Sequence, residues 1–155
     1  MPGRIEARLA ELKIELPKAA APAANYVPWT ISGKTLYVAG QIPFWNGELK
    51  FVGRIGEAMT LEQGQQAARL CALNIIAQAK VACGGDLDRV VRVLKLTGYV
   101  NCVASFTDQP KVINGASDLM VQVFGDAGKH ARAAVGANVL PLGVTTEVDA
   151  IIELA

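Results

Sequence analysis

The stretch from Thr60 to Gly85 leaves a fold few options. Thr60-x-x-Gln63 carries the residues of a capping box, in which a hydroxyl and an amide side chain satisfy backbone groups at a helix start. Good helix formers continue to about Ala82, and Gly84-Gly85 closes the run. In its second half Leu70, Cys71, Ala72, Leu73, Ile75, Ile76, Ala77 and Ala79 make the helix apolar nearly all round. Such a helix must be covered on more than one side.

Shorter patterns flank it. Ile5, Leu9 and Leu12 at i, i+4 and i+7 predict an amphipathic helix over about residues 3 to 14. Pro17 to Asn25 has no period and reads as an Ala/Pro linker. We therefore divide the chain into an N-terminal helix and linker (1–25) and a main domain (26–155). Trp29 to Ile31 and Thr35 to Ala39 flank Ser32-Gly33-Lys34 as a β-hairpin, with Leu36 and Val38 alternating against Tyr37. A weaker strand is expected over Leu49 to Val52. Arg89 to Val103 is rich in β-branched residues and predicts a long central strand. Asp108 and Pro110 mark a second long helix, whose apolar stripe runs through Val112/Ile113, Ala116, Leu119/Met120 and Val123/Phe124 to Gly125. Two last strands, about Ala131 to Val139 and Thr145 to Leu154, are joined by Leu140-Pro141-Leu142-Gly143. The order predicts an α+β two-layer domain, a sheet with two main helices on one face.

Composition adds a constraint on assembly. The 155 residues suffice for about one domain. Of these, 52% are hydrophobic and 19% charged, against about 45–50% and about 25% in ordinary soluble domains. A domain this small has limited interior, so the surplus is expected to be buried between subunits. With 15 basic and 14 acidic groups the net charge is +1, which gives no basic surplus for neutralising phosphates and counts against a nucleic-acid partner. A membrane is no better a sink. The uncharged stretch Ala133 to Thr146 is broken by Gly136, Asn138, Pro141 and Gly143, and a spanning helix needs about 20 apolar residues. The N-terminus lacks the hydrophobic region of a secretory signal. Cys71, Cys83 and Cys102 are odd in number and have no C-x-x-C spacing, so reduced thiols and a cytoplasmic location are expected.

There is no Gly-rich phosphate loop, no G-x-S-x-G and no H-E-x-x-H, and the single histidine, His130, excludes a histidine-built metal site. His130 reads as a solvated loop residue. Trp29 and Trp45 read as packing residues, since no basic residues interleave with them. Arg132 opens a strand of small apolar residues and needs a carboxylate or carbonyl partner. It is either a fork for a ligand carboxylate or one half of an internal ion pair with Glu147 or Asp149. Glu147 is either an exposed carboxylate on an alternating strand or, if buried, a candidate general base for a water.

Tyr26-Val27-Pro28, Tyr37-Val38-Ala39-Gly40-Gln41-Ile42-Pro43, Asn114-Gly115-Ala116, His130-Ala131-Arg132, Leu140-Pro141-Leu142-Gly143 and Glu147-Val148-Asp149-Ala150-Ile151 together resemble the Rid family, also known as YjgF/YER057c/UK114, in order and spacing over residues 22–155. The resemblance implies a chorismate-mutase-like fold, a homotrimer with a central barrel, and clefts at subunit interfaces. It also implies cofactor-free hydrolysis of reactive imines and enamines, such as 2-aminoacrylate, to 2-oxo acids and ammonia. Of the family's site residues, the carboxylate-binding arginine falls on Arg132, the water-orienting glutamate on Glu147, the cleft tyrosine on Tyr26 and the helix asparagine on Asn114. Two positions depart from the family pattern: Ala134 replaces a cysteine or small hydroxyl residue, and Ala39 replaces a serine. Two other activities follow as alternatives. A non-catalytic protein binding small carboxylate metabolites is favoured by the two alanines, and an endoribonuclease is disfavoured by charge.

Overall fold

Three helices and seven strands follow one another in the computed structural model, which describes residues 2–155: α1 (Arg4–Glu11), β1 (Trp29–Ser32), β2 (Thr35–Gln41), β3 (Phe44–Trp45), β4 (Glu48–Leu49), α2 (Leu61–Ala82), β5 (Val90–Asn101), α3 (Gln109–Phe124), β6 (Ala131–Ala137) and β7 (Thr146–Leu154). The capping box of α2 is formed in both directions. Thr60 Oγ1 accepts from the Gln63 amide at 3.1 Å, and Gln63 Oε1 accepts from the Thr60 amide at 2.9 Å. Every residue of α2 from Leu70 to Ala79 is buried, as the all-round apolar pattern requires. The stripe of α3 is buried as well, and α2 and α3 lie side by side on one face of the sheet.

Five strands form that sheet in the order β1-β2-β7-β5-β6. All neighbours are antiparallel except β5 and β6, which are parallel and joined through α3. β6 and β7 are consecutive along the chain, yet β5 lies between them. The core is built on strict alternation: Thr146, Val148, Ala150, Ile152 and Leu154 of β7 are buried beneath the helices, while Glu147, Asp149, Ile151 and Glu153 are only partly covered. In the register, Tyr37, Tyr99 and Val135 share the second face with those residues, and no helix packs on it. Tyr37 and Val135 are each 46% exposed there. Part of the exposed apolar surface therefore lies on this face.

Local chemistry explains where the chain departs from expectation. No strand spans Leu49 to Val52. Glu48–Leu49 pairs with Phe44–Trp45 in a separate ribbon and Val52 makes an isolated bridge to Val144, because Phe51 (φ 54) and Gly53 (φ 140) turn the backbone out of the extended region. Asp108 stands at the N-cap of α3, but its side chain caps no amide and instead pairs with Lys111 at 3.7 Å. Trp29 and Trp45 pack against the core, and all three cysteines are buried free thiols. Among the described residues no helix is long and apolar enough to cross a membrane.

α1 is anchored by a residue far away in sequence. Its first amides, at Arg4 and Ile5, donate to the two carboxylate oxygens of Asp88 at 2.8 and 2.9 Å. Ile5 and Leu9 are buried in the main core, and Lys80 pairs with Glu6 at 3.1 Å. The amide hydrogen bonds hold the Asp88 carboxyl below its ordinary range. A carboxyl depressed in the folded state stabilises above its unfolded pKa and loses that contribution as pH falls through the folded value. Hydrogen exchange should therefore show α1 protected down to a pH below the ordinary carboxylate range in the wild type. Asp88→Ala should speed exchange of the α1 amides at neutral pH and leave α2 unchanged. Thr60→Ala removes half of the α2 capping box and should cost about 1 kcal/mol, read as a lowered Tm.

Candidate functional site

α3 and β6 together place the arginine. Asn114 and Ser117 stand three residues apart on α3, hence on one helix face. Arg132 is opposite Leu96 in the parallel pair, and Leu96 lies under the helices, so Arg132 projects from the edge strand toward α3. Its Nη1 donates to Asn114 Oδ1 at 2.7 Å and to Ser117 Oγ at 3.2 Å. Among the described residues no ion pair involves Arg132, and neither Nε nor Nη2 has a partner. The guanidinium is therefore held along one edge by neutral acceptors. Its other edge presents two parallel N–H groups, the geometry that receives a carboxylate bidentately. The internal ion pair with Glu147 or Asp149, one of the two readings left open by the sequence, is not formed.

Glu147 belongs to a second cluster. It is half-buried at the start of β7, on the bare side of the sheet, with Tyr99 as its cross-strand neighbour on β5. Gly40, at the bulge where β2 slips against β7, leaves room for it: a Cβ there would sit 2.3 Å from Glu147 Oε1. Glu147 and Tyr26 line one cavity of about 280 Å³ together with Pro28, Gly40 and Pro141. Burial, and then the neighbouring Asp149 carboxylate, push the Glu147 carboxyl above its ordinary value. Asp149 is also raised by burial, although hydrogen bonds from Tyr99 and Thr97 and the charge of Lys95 oppose the shift. Tyr26 is 52% exposed, and its hydroxyl is raised by burial and by Glu147. A carboxylate with raised pKa beside a tyrosine can take a proton from a water.

Arg132 is thus brought together with Asn114, and Glu147 with Tyr26, but the two pairs do not meet. β5 separates their strands, and two strand spacings amount to roughly 10 Å. Alternation also puts them on opposite faces, since Arg132 shares a row with Leu96 and Ala150 whereas Glu147 is three residues from Ala150.

Ala134, two residues beyond Arg132, faces the same way and packs against the core, and Ala39 donates its amide to Pro28 O at 2.9 Å. The buried Cys71 thiol lies against Thr146 Oγ1 at 3.3 Å and is pushed up to about 12, mainly by burial. It is inert as a nucleophile.

Sequence reasoning missed Ser117 and misread His130. His130 is half-buried and bonded at both ring nitrogens, to Ser117 Oγ at 2.9 Å and Gly128 O at 2.6 Å. The one available signal was the i, i+3 spacing of Ser117 from Asn114.

Comparison with known proteins agrees with the resemblance carried by the motifs. A family model described as "YjgF/chorismate_mutase-like, putative endoribonuclease" matches residues 6–154. The chain is 51% identical over 153 residues to Protein TCP17 of Trypanosoma cruzi, covering 98% of this chain and 95% of the relative. Among solved structures, Atu1372 of Agrobacterium tumefaciens, described as a protein of unknown function, is 50% identical with TM-score 0.91, covering 97% of this chain and 92% of its own. RidA from an Antarctic Psychrobacter is 26% identical with TM-score 0.60, covering 88% of this chain and 94% of its own. With the α+β fold, the arginine on its helix-side edge and the glutamate at the start of the last strand, these likenesses lead to one conclusion: the chain belongs to the YjgF/chorismate-mutase-like, or Rid, family.

Proposed function

We propose that the protein hydrolyses small carboxylate-bearing imines and enamines to 2-oxo acids and ammonia, without a cofactor, in clefts that a second copy of the chain completes. The observation carrying this reading is the half-satisfied guanidinium of Arg132, ordered by Asn114 and Ser117 and open along its Nε–Nη2 edge. That edge holds the substrate carboxylate. Glu147, with its raised pKa, takes a proton from water as the water oxygen bonds to the iminium carbon. The resulting carbinolamine is protonated on nitrogen, the C–N bond breaks, and ammonia leaves as the 2-oxo acid forms. Positioning supplies most of the acceleration, because an iminium carbon is already electrophilic.

The two halves lie on opposite faces of one sheet, so a complete site requires Arg132 of one copy and Glu147 of another. The bare face, with Tyr37 and Val135 exposed, supplies apolar surface for that contact. A homotrimer with the sheets around a central barrel, as the family resemblance implies, brings three such clefts together. Tyr26 lines the glutamate side. Asn114 serves as the acceptor that aims Arg132 as well as a polar group near the substrate carboxylate.

Ammonia release from 2-iminopropanoate generated in situ tests the activity directly. Arg132→Ala should lower kcat/KM by about 100-fold, the worth of a charge-assisted contact near 3 kcal/mol. Glu147→Gln should lower kcat by roughly 10²–10⁴-fold. Oligomers assembled from a mixture of the two variants should regain activity, because roughly one interface in four then joins an intact arginine to an intact glutamate. Activity needs the ionised glutamate, so kcat should fall as pH drops through a value above the ordinary carboxylate range. Asp149→Asn should move that limb to lower pH. Retention of ligand-induced thermal stabilisation by 2-oxo acids without any rate above background would instead establish the non-catalytic binder, which the apolar Ala39 and Ala134 favour.

A further inference from the structure

The hydrogen bonds around Arg132 continue past Ser117, and the tautomer of His130 sets their direction. Gly128 O can only accept, so His130 Nδ1 carries a proton. In the Nδ1–H tautomer Nε2 is an acceptor, and the Ser117 hydroxyl, 2.9 Å away, donates to it. With its proton committed, Ser117 Oγ offers lone pairs to Arg132 Nη1 at 3.2 Å. The chain of donors runs one way, from Arg132 to Ser117 to His130 to Gly128.

Both ends of this chain are tied to α3. Ser117 and Asn114 are on the helix itself. Gly128 is packed so closely on it that a Cβ would lie 2.1 Å from Met120 O and 2.9 Å from Val121 N. The carbonyl that fixes the ring therefore moves with the helix that carries the two acceptors of the guanidinium.

We infer that His130 is a positioning residue: acting through Ser117, it fixes the rotation of the Arg132 guanidinium so that the Nε–Nη2 edge faces outward for a carboxylate. Without the ring acceptor the Ser117 proton is free to turn toward Arg132, where a donor meets a donor and the second anchor of Nη1 weakens. Asn114 alone then holds the guanidinium. The identity of the captured carboxylate rests on the function proposed above, whereas the ordering of the fork does not.

Two substitutions separate the ring's two roles. His130→Gln keeps an acceptor where Nε2 stood, and His130→Asn keeps only the group that reaches Gly128 O. Nitrogen-15 NMR of the arginine side chains in the ligand-free protein should show slow rotation of the Arg132 guanidinium in the wild type and in His130→Gln. Fast, averaged Nη signals are expected in His130→Asn. Ser117→Ala, which leaves the His130 loop intact, should give the same averaging as His130→Asn. With 2-iminopropanoate, His130→Asn should raise KM roughly five- to tenfold with kcat within about twofold, and His130→Gln should restore KM. Unchanged Arg132 signals in His130→Asn would overturn the inference, whatever Ser117→Ala shows. If the wild type shows the ordered Arg132 signals but no imine hydrolysis and no 2-oxo acid binding, the proposed function fails while the positioning role stands.

Discussion

Period-two alternation across β6, β5 and β7 is the constraint on which the rest of the structure depends. Those three strands are locked in register by a parallel pair and an antiparallel pair, and each row of side chains is assigned to one face or the other. Leu96 and Ala150 must lie beneath α2 and α3, because they fill the core. Arg132, in the same row, is then obliged to face the helix layer, and Glu147, an odd number of residues from Ala150, is obliged to face away. A one-residue slip of β7 would turn Glu147 into the core and bury a charge, so core packing enforces the arrangement of polar groups.

The two polar clusters differ in electrostatic character. On the helix side a permanent cation is anchored by neutral oxygens at the open edge of the sheet, where solvent moderates the cost of leaving it unpaired. On the bare side two carboxylates two residues apart share a half-buried setting: burial raises both, and the charge of Asp149 raises Glu147 further. A free cation and a reluctant anion on one chain are each incomplete. The proposed pairing of copies, helix edge of one against bare face of the next, rests on their complementarity.

Much of the architecture was legible because it depends on local pattern. The capping box at Thr60 and Gln63, the buried stripes of α2 and α3, the hairpin around Gly33 and the alternation of β7 all follow from periodicities that a helix or strand imposes on its own residues. Where a local rule competed with backbone geometry, it failed. Phe51 adopts a left-handed conformation and ends the expected strand, and Asp108 turns to Lys111 rather than to the helix amides. The motif spacing identified Arg132 and Glu147 but was silent on Ser117 and on the ring contacts of His130, which involve loop positions with no period.

By itself the sequence determined which faces of the main helices and of the last strand are apolar, roughly how long those elements are, and that charge is sparse and nearly balanced. These properties reside in composition and in spacing along one element. Only the tertiary structure decided that β5 separates β6 from β7, that Arg132 answers to Asn114 and Ser117 instead of a carboxylate, and that Asp88 caps a helix more than eighty residues before it. The physical reason is that pairing order and partner choice between distant segments are settled by which packing buries the core without slipping a register. That comparison exists only once all the elements are assembled.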